Sequence, residues 1–129
     1  MPDIPTVLVM DDDPGVRATM ERLLRVYGYG AVTAATLEEA RALLGTTAIA
    51  ALILDVGLQQ GESGLDLLET IRARSEFNHA PILIFTGGIL SSAEQILITR
   101  HRAFVFQKPE GFDTLIKFLD TLTGRDQPH

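Results

Sequence analysis

The residues Ala50-Ala51-Leu52-Ile53-Leu54-Asp55 form an almost wholly apolar run that ends abruptly in a carboxylate. A continuous apolar run, rather than an alternating one, suits a strand covered on both faces, as at the centre of a parallel sheet. Asp55 is where that strand surfaces, and in an open α/β sheet ligands and chemistry gather just beyond the carboxyl ends of the strands. Taken alone, Asp55 is equally well a loop residue that caps the next helix. The other strand ends decide between these readings.

The first of them is Thr6-Val7-Leu8-Val9-Met10, a β-rich segment that runs straight into Asp11-Asp12-Asp13-Pro14. Pro14 with Asp13 as N-cap opens a helix whose apolar stripe is Val16, Met20, Leu23 and Leu24, and Gly28 closes it. Gly30 to Ala35 reads as a weaker strand. Thr36-Leu37-Glu38-Glu39 then carries a capping-box signal for a helix with Leu37, Ala40, Leu43 and Leu44 inward, ended by Gly45. After the strand ending at Asp55 come a Gly/Gln/Ser loop and a third helix through Leu65, Leu68 and Ile71. Pro81 to Thr86 is a fourth buried strand with Gly87-Gly88 as its exit. Ser91 caps a fourth helix, Ala103 to Phe106 is a short fifth strand ending at Lys108-Pro109, and Phe112 to Leu122 is an amphipathic last helix through Leu115, Ile116, Leu119 and Leu122. Five strands alternating with five helices predict a parallel sheet with right-handed crossovers and helices on both faces, an α/β, doubly wound (βα)5 domain. Residues 6–123 are expected to form it, between tails 1–5 and 124–129.

The 129 residues suit one domain, with no room for an output module, and 46% hydrophobic against 22% charged residues is an ordinary globular balance. A net charge of −6 repels a nucleic-acid backbone, and no basic patch offsets it, so direct nucleic-acid binding is not expected. The chain has no cysteine, which excludes disulfides and thiolate metal sites. The N-terminus resembles no signal peptide and no apolar run approaches membrane-spanning length, so a cytoplasmic protein without membrane contact is expected.

In this architecture the strand ends share one rim, so Asp11, Asp12, Asp55, Thr86 and Lys108 should converge in one shallow cleft. Three carboxylates at close range repel, and a divalent cation is the natural remedy. All-oxygen ligands point to Mg2+, which takes one or two carboxylates and keeps several waters. A metal and a lysine around an exposed carboxylate are what phosphoryl transfer onto Asp55 requires, with the Thr86 hydroxyl donating to a phosphoryl oxygen. The bland readings stand beside these: Asp11 to Asp13 alone is a solvated turn and N-cap, and Asp13 keeps that role. Lys108 alone is a surface lysine. Arg100-His101-Arg102 is a partner patch or, more simply, basic charge closing a helix against its dipole. His79, His101 and His129 lack metal-ligand spacing, and Phe77 and Phe85 read as packing.

The chain also resembles a known family, the receiver domains of two-component response regulators, in their stand-alone, CheY-like form. The resemblance rests on Val7-Leu8-Val9-Met10-Asp11-Asp12-Asp13-Pro14 with Arg17, Leu54-Asp55, Ser63-Gly64-Leu65-Asp66-Leu67-Leu68, Ile84-Phe85-Thr86-Gly87 and Lys108-Pro109, in order from Val7 to Leu122. It implies a flavodoxin-like fold of strand order 2-1-3-4-5, Asp55 as phosphoacceptor, Asp11 and Asp12 holding Mg2+ with Asp12 the more direct, Thr86 as switch hydroxyl and Lys108 as the cation on the phosphoryl group. The implied donor is a histidine kinase or histidine phosphotransfer protein. The Lys108-Pro109 bond is cis by the same resemblance.

Three departures from the family pattern carry consequences. The loop from Val56 to Gly64 lacks the usual Pro and is about one residue longer, so a looser or differently shaped third-helix loop is expected. Gly57 offers the metal only its backbone carbonyl. Val105 stands where the family has an aromatic, while Phe104 and Phe106 should point to the opposite side of the sheet. The signal is therefore expected to reach the fourth helix through the Gly87-Gly88 loop rather than a ring flip, which makes the fourth helix, fifth strand and fifth helix the expected partner or homodimer face.

Rival functions fare worse. A flavin- or nucleotide-binding domain needs a phosphate-cradling loop after the first strand, where three Asp would repel it. An aspartyl phosphatase needs its nucleophile at the first strand and a lid that 129 residues do not supply. The remaining alternative is a degenerate receiver that acts as a phosphorylation-independent interaction module. With no DNA-binding or catalytic segment, output is expected to pass through protein contacts to a downstream protein that the sequence does not name.

Overall fold

The computed structural model describes residues 4–58, 61–107 and 111–124. Within them β1 (Thr6–Met10), β2 (Gly30–Ala34), β3 (Ala51–Asp55), β4 (Ile82–Thr86) and β5 (Phe104–Gln107) alternate with α1 (Pro14–Val26), α2 (Leu37–Thr46), α3 (Leu68–Ala73), α4 (Ser92–Arg100) and α5 (Phe112–Thr123). The strands form one parallel sheet in the order β2-β1-β3-β4-β5. The strand order and the doubly wound architecture match the expectation.

Strand periodicity assigns the two faces. Leu8, Met10, Leu52, Leu54, Ile82 and Ile84 pack in one cluster with Leu37, Ala40 and Leu44 of α2, Leu68 and Ile71 of α3, and Ile98 of α4. Their neighbours Val7, Val9, Ile53, Leu83 and Phe85 pack in a second cluster with Met20 and Leu24 of α1 and Leu115, Ile116 and Leu119 of α5. Successive residues of one strand therefore serve opposite layers, which is why β1, β3 and β4 read as unbroken apolar runs.

Helix ends follow the capping chemistry with adjustments. Asp13 caps α1 by accepting from the Gly15 and Val16 amides, and Gly28 follows the helix at φ 91°, a left-handed conformation that suits glycine. Thr36 Oγ1 accepts from Glu39 N at 3.1 Å, but the return arm of the box runs from Ala35 N to Glu39 Oε1 at 2.6 Å, one residue earlier than expected. Gly45 does not end α2, which continues to Thr46. The third helix is split: Gly64–Leu67 is a 3-10 turn, Leu68–Ala73 is α-helical, and Ser75–Phe77 is again 3-10. The long preceding loop thus feeds a tight first turn capped by a Ser63/Asp66 box. Leu122, expected inward, is 37% exposed, because the end of α5 lines an open cleft with Phe104 and Arg102.

Arg72 ties the lower side of the α2–α4 layer together. Its guanidinium donates to the carbonyls of Phe77 at 2.7 Å, Ala80 at 2.9 Å and His101 at 2.8 Å, joining α3 to the entry of β4 and the exit of α4. Burial, reinforced by the nearby charge of Arg102, lowers the Arg72 pKa below its usual range. Arg102 itself sits at φ 59° and donates to Asn78 O at 3.2 Å. On the other layer, the Tyr29 hydroxyl donates to Asp120 Oδ1 at 2.5 Å and lies 3.1 Å from Thr123 Oγ1, joining the strand after α1 to the end of α5.

Candidate functional site

The carboxyl ends of β1, β3 and β4 deliver Asp11 and Asp12, Asp55, and Thr86 to one rim of the sheet. The β1–β2 ladder continues past β1, since Asp11 N–H donates to Ala34 O at 3.1 Å. Asp11 Oδ1 accepts the Asp13 amide at 2.9 Å, and Arg17 Nη1 donates to the Asp11 carbonyl at 2.7 Å. Three consecutive aspartates thus take three positions: Asp11 is buried at 2% exposure, Asp12 is half-buried, and Asp13 is exposed on its helix cap.

Asp55 is also 2% exposed, and its Oδ1 accepts from Gly57 N at 3.3 Å. Gly64 packs under its backbone so closely that a Cβ there would collide with the Asp55 carbonyl oxygen and sit 3.0 Å from Leu54 Cβ. The glycine fixes where β3 ends. Glu62 anchors the same loop, accepting from Leu37 N at 3.4 Å through its carboxylate and from Leu58 N at 3.1 Å through its carbonyl. Thr86 is buried, and its Oγ1 accepts the Gly88 amide at 3.2 Å.

One carboxylate oxygen each from Asp11, Asp12 and Asp55 lies within 4.8 Å of the other two. Mg2+ binds oxygen at about 2.0–2.1 Å in an octahedron, so its ligands span up to about 4 Å. The 4.8 Å limit on the three oxygens is close to that span, and the all-oxygen set is hard in character, as Mg2+ prefers. The donor set therefore fits the cation. Gly57 is exposed beside Asp55, at the rim where its carbonyl was expected to serve. Lys108, with the Lys108-Pro109 bond, lies outside the described residues.

Sequence reasoning brought Asp11, Asp12, Asp55 and Thr86 to the rim and assigned Asp13 to the cap. It gave no role to Gly64, Glu62 or the Arg17 contact with Asp11. The Ser63-x-x-Asp66 capping signal marks the turn that contains Gly64, but no local pattern marks the residue it must pass.

The response regulator receiver domain family matches residues 7–120, and the chain belongs to it. Members of this family are phosphoacceptor signalling modules of two-component systems. The transcriptional regulatory protein AruR of Pseudomonas aeruginosa is 36% identical over 89 residues, 65% of this chain and 35% of AruR. The NtrX-like protein of Rickettsia bellii is 30% identical over 115 residues, 88% of this chain and 23% of its own length. The chain thus spans 35% or less of the length of these relatives, about the extent of one receiver domain. Among solved structures, a response regulator receiver protein from Pseudomonas putida superimposes with a TM-score of 0.81 at 31% identity, covering 94% of this chain and 99% of that one. The chemotaxis protein CheY4 of Vibrio cholerae does so with a TM-score of 0.81 at 26% identity, covering 93% and 99%. Among the described residues no helix is long and apolar enough to cross a membrane.

Proposed function

We propose that this chain accepts a phosphoryl group on Asp55 from a histidine kinase or histidine phosphotransfer protein in the cytoplasm, and signals through protein contacts. The observation that carries the reading is the gathering of Asp11, Asp12 and Asp55 within 4.8 Å at the carboxyl rim of the sheet. An Asp55 oxygen attacks phosphorus, the bond from phosphorus to the donor nitrogen breaks, and the product is an acyl phosphate on Asp55. Mg2+ held by Asp11, Asp12 and Asp55, with the Gly57 carbonyl, would neutralise charge on the transferring group. Arg17 holds the Asp11 backbone in register and Gly64 sets the height of Asp55, so both act by positioning. Lys108 contributes a further cation to the phosphoryl oxygens, and the buried Thr86 hydroxyl becomes a donor to one of them. The chain thus catalyses its own modification and carries no separate substrate chemistry. The receiver domain occupies 6–123, and its partner face is α4, β5 and α5, where Ile96 and Val105 are exposed, with Ile89 exposed in the loop before α4.

Incubation with acetyl phosphate and Mg2+, read by mass spectrometry, tests this reading. The wild-type chain should gain one phosphoryl group and Asp55→Asn should gain none, with the circular dichroism of the variant unchanged. An equal gain on the variant would remove Asp55 from the assignment. Absence of any gain on the wild-type chain would favour the phosphorylation-independent interaction module.

A further inference from the structure

A cavity of about 660 Å3 opens between α4 and β5. Its origin lies in the alternation of β5. Phe104 and Phe106 both turn to the α5 face, where each ring centroid lies 5.1 Å from that of Phe118. Val105 and Gln107 are left facing α4, and Val105 is too small to fill the space. On the opposite wall α4 buries only Ile98, with Gln95 and Thr99 at the rim. None of the described lining residues is charged.

At the mouth of this cavity stands Ile89, fully exposed at 100%. It follows Gly87-Gly88, and Leu90 after it packs partly against the core. Gly88 is held by its amide on the Thr86 hydroxyl, and a Cβ at Gly88 would meet nothing within 4 Å, so space around this segment is open. A large apolar side chain in water beside an uncharged, unfilled hole is a displaced equilibrium: burial favours closure, and the backbone bond to Thr86 favours the open form.

We infer that Ile89 is a lid on the α4–β5 cavity, drawn in against Val105 and Ile98 when the Thr86 hydroxyl leaves Gly88 for the phosphoryl group on Asp55. The inference rests on the phosphoacceptor reading and adds to it the side chain that repacks. Withdrawal of Thr86 frees the Gly88 amide, the two glycines let the loop turn, and Ile89 exchanges water for the cavity. Closure buries no charge among the described lining residues, so within that set the cost is loop ordering. The occupied cavity then braces α4 against β5, and the apolar Ile89 side chain is withdrawn from the surface beside them.

Because the chain has no cysteine, Ile89→Cys places a single thiol on the lid. Its reaction rate with a small aromatic disulfide reagent is measured with and without Mg2+ and beryllofluoride, while fluorine resonance reports bound beryllofluoride. The rate should fall about tenfold or more in the bound form. Ile96→Cys, exposed on α4, should react at an unchanged rate. In the double variant with Val105→Tyr the ring occupies the cavity, and the slowing at position 89 should vanish although beryllofluoride still binds. An unchanged rate at position 89 with beryllofluoride bound would overturn the lid and leave the phosphoacceptor reading intact. Slowing that grows with protein concentration would assign Ile89 to a second copy and overturn the lid as well. Absence of bound beryllofluoride would defeat the underlying reading, and the lid with it.

Discussion

Gly64 carries a constraint that its backbone angles do not express, because what it lacks is room rather than a special conformation. Any side chain there meets the Asp55 carbonyl, which belongs to a central strand and has little freedom to retreat. Gly64→Ala is expected to cost about 1–3 kcal/mol and to displace the end of β3, so phosphoryl acceptance should fall along with stability. Urea denaturation and acetyl phosphate labelling check the two effects separately. Full stability with full labelling would show that the 3-10 turn can shift without moving Asp55. The three aspartates after β1 illustrate the same scale: identical side chains become a buried ligand candidate, a half-buried one and an exposed cap through one residue of displacement each.

Among the elements, α4 is the least anchored helix by burial, with Ile98 as its one buried side chain. Its N-terminus is secured by a reciprocal capping box, Ser91 Oγ accepting from Glu94 N at 3.1 Å and Glu94 Oε1 from Ser91 N at 2.8 Å. With so little burial, the box accounts for a large share of the local stability. Ser91→Ala should cost about 1 kcal/mol, which accelerates amide exchange in α4 about fivefold, while the global melting temperature changes little. Exchange that is unchanged across residues 92–100 would mean that the helix is held by its C-terminal contacts, where Arg72 grips the His101 carbonyl. α5 presents the opposite case: its Gly111 N-cap offers no side chain, but Leu115, Ile116 and Leu119 are buried against the sheet.

For the whole molecule, the acid cluster sets a conflict between stability and metal affinity. Three carboxylates within 4.8 Å repel in the metal-free state, so Asp12→Ala should raise stability in chelator by about 1 kcal/mol. The same change removes a ligand. Wild-type protein should gain about 1.4 kcal/mol at a Mg2+ concentration ten times its dissociation constant, whereas the variant should gain much less at that concentration. Melting curves with and without Mg2+ separate the effects. A variant that melts lower in chelator and responds to Mg2+ as wild type does would place Asp12 outside the cluster.

Periodicity and capping signals were enough to read the five strands, the five helices and their order, because each depends on residues within a few positions of one another. The same local chemistry placed Asp11, Asp12, Asp55 and Thr86 at strand ends, and a parallel sheet brings strand ends to one rim. What only the tertiary structure decided depends on packing between segments remote in the chain. The split of the third helix, the exposure of Leu122, the close passage of Gly64 beneath Asp55 and the cavity behind Val105 are of this kind. Each is set by how much space is left once two layers close on a sheet, and that remainder is a property of the packed volume, which no run of neighbouring residues encodes.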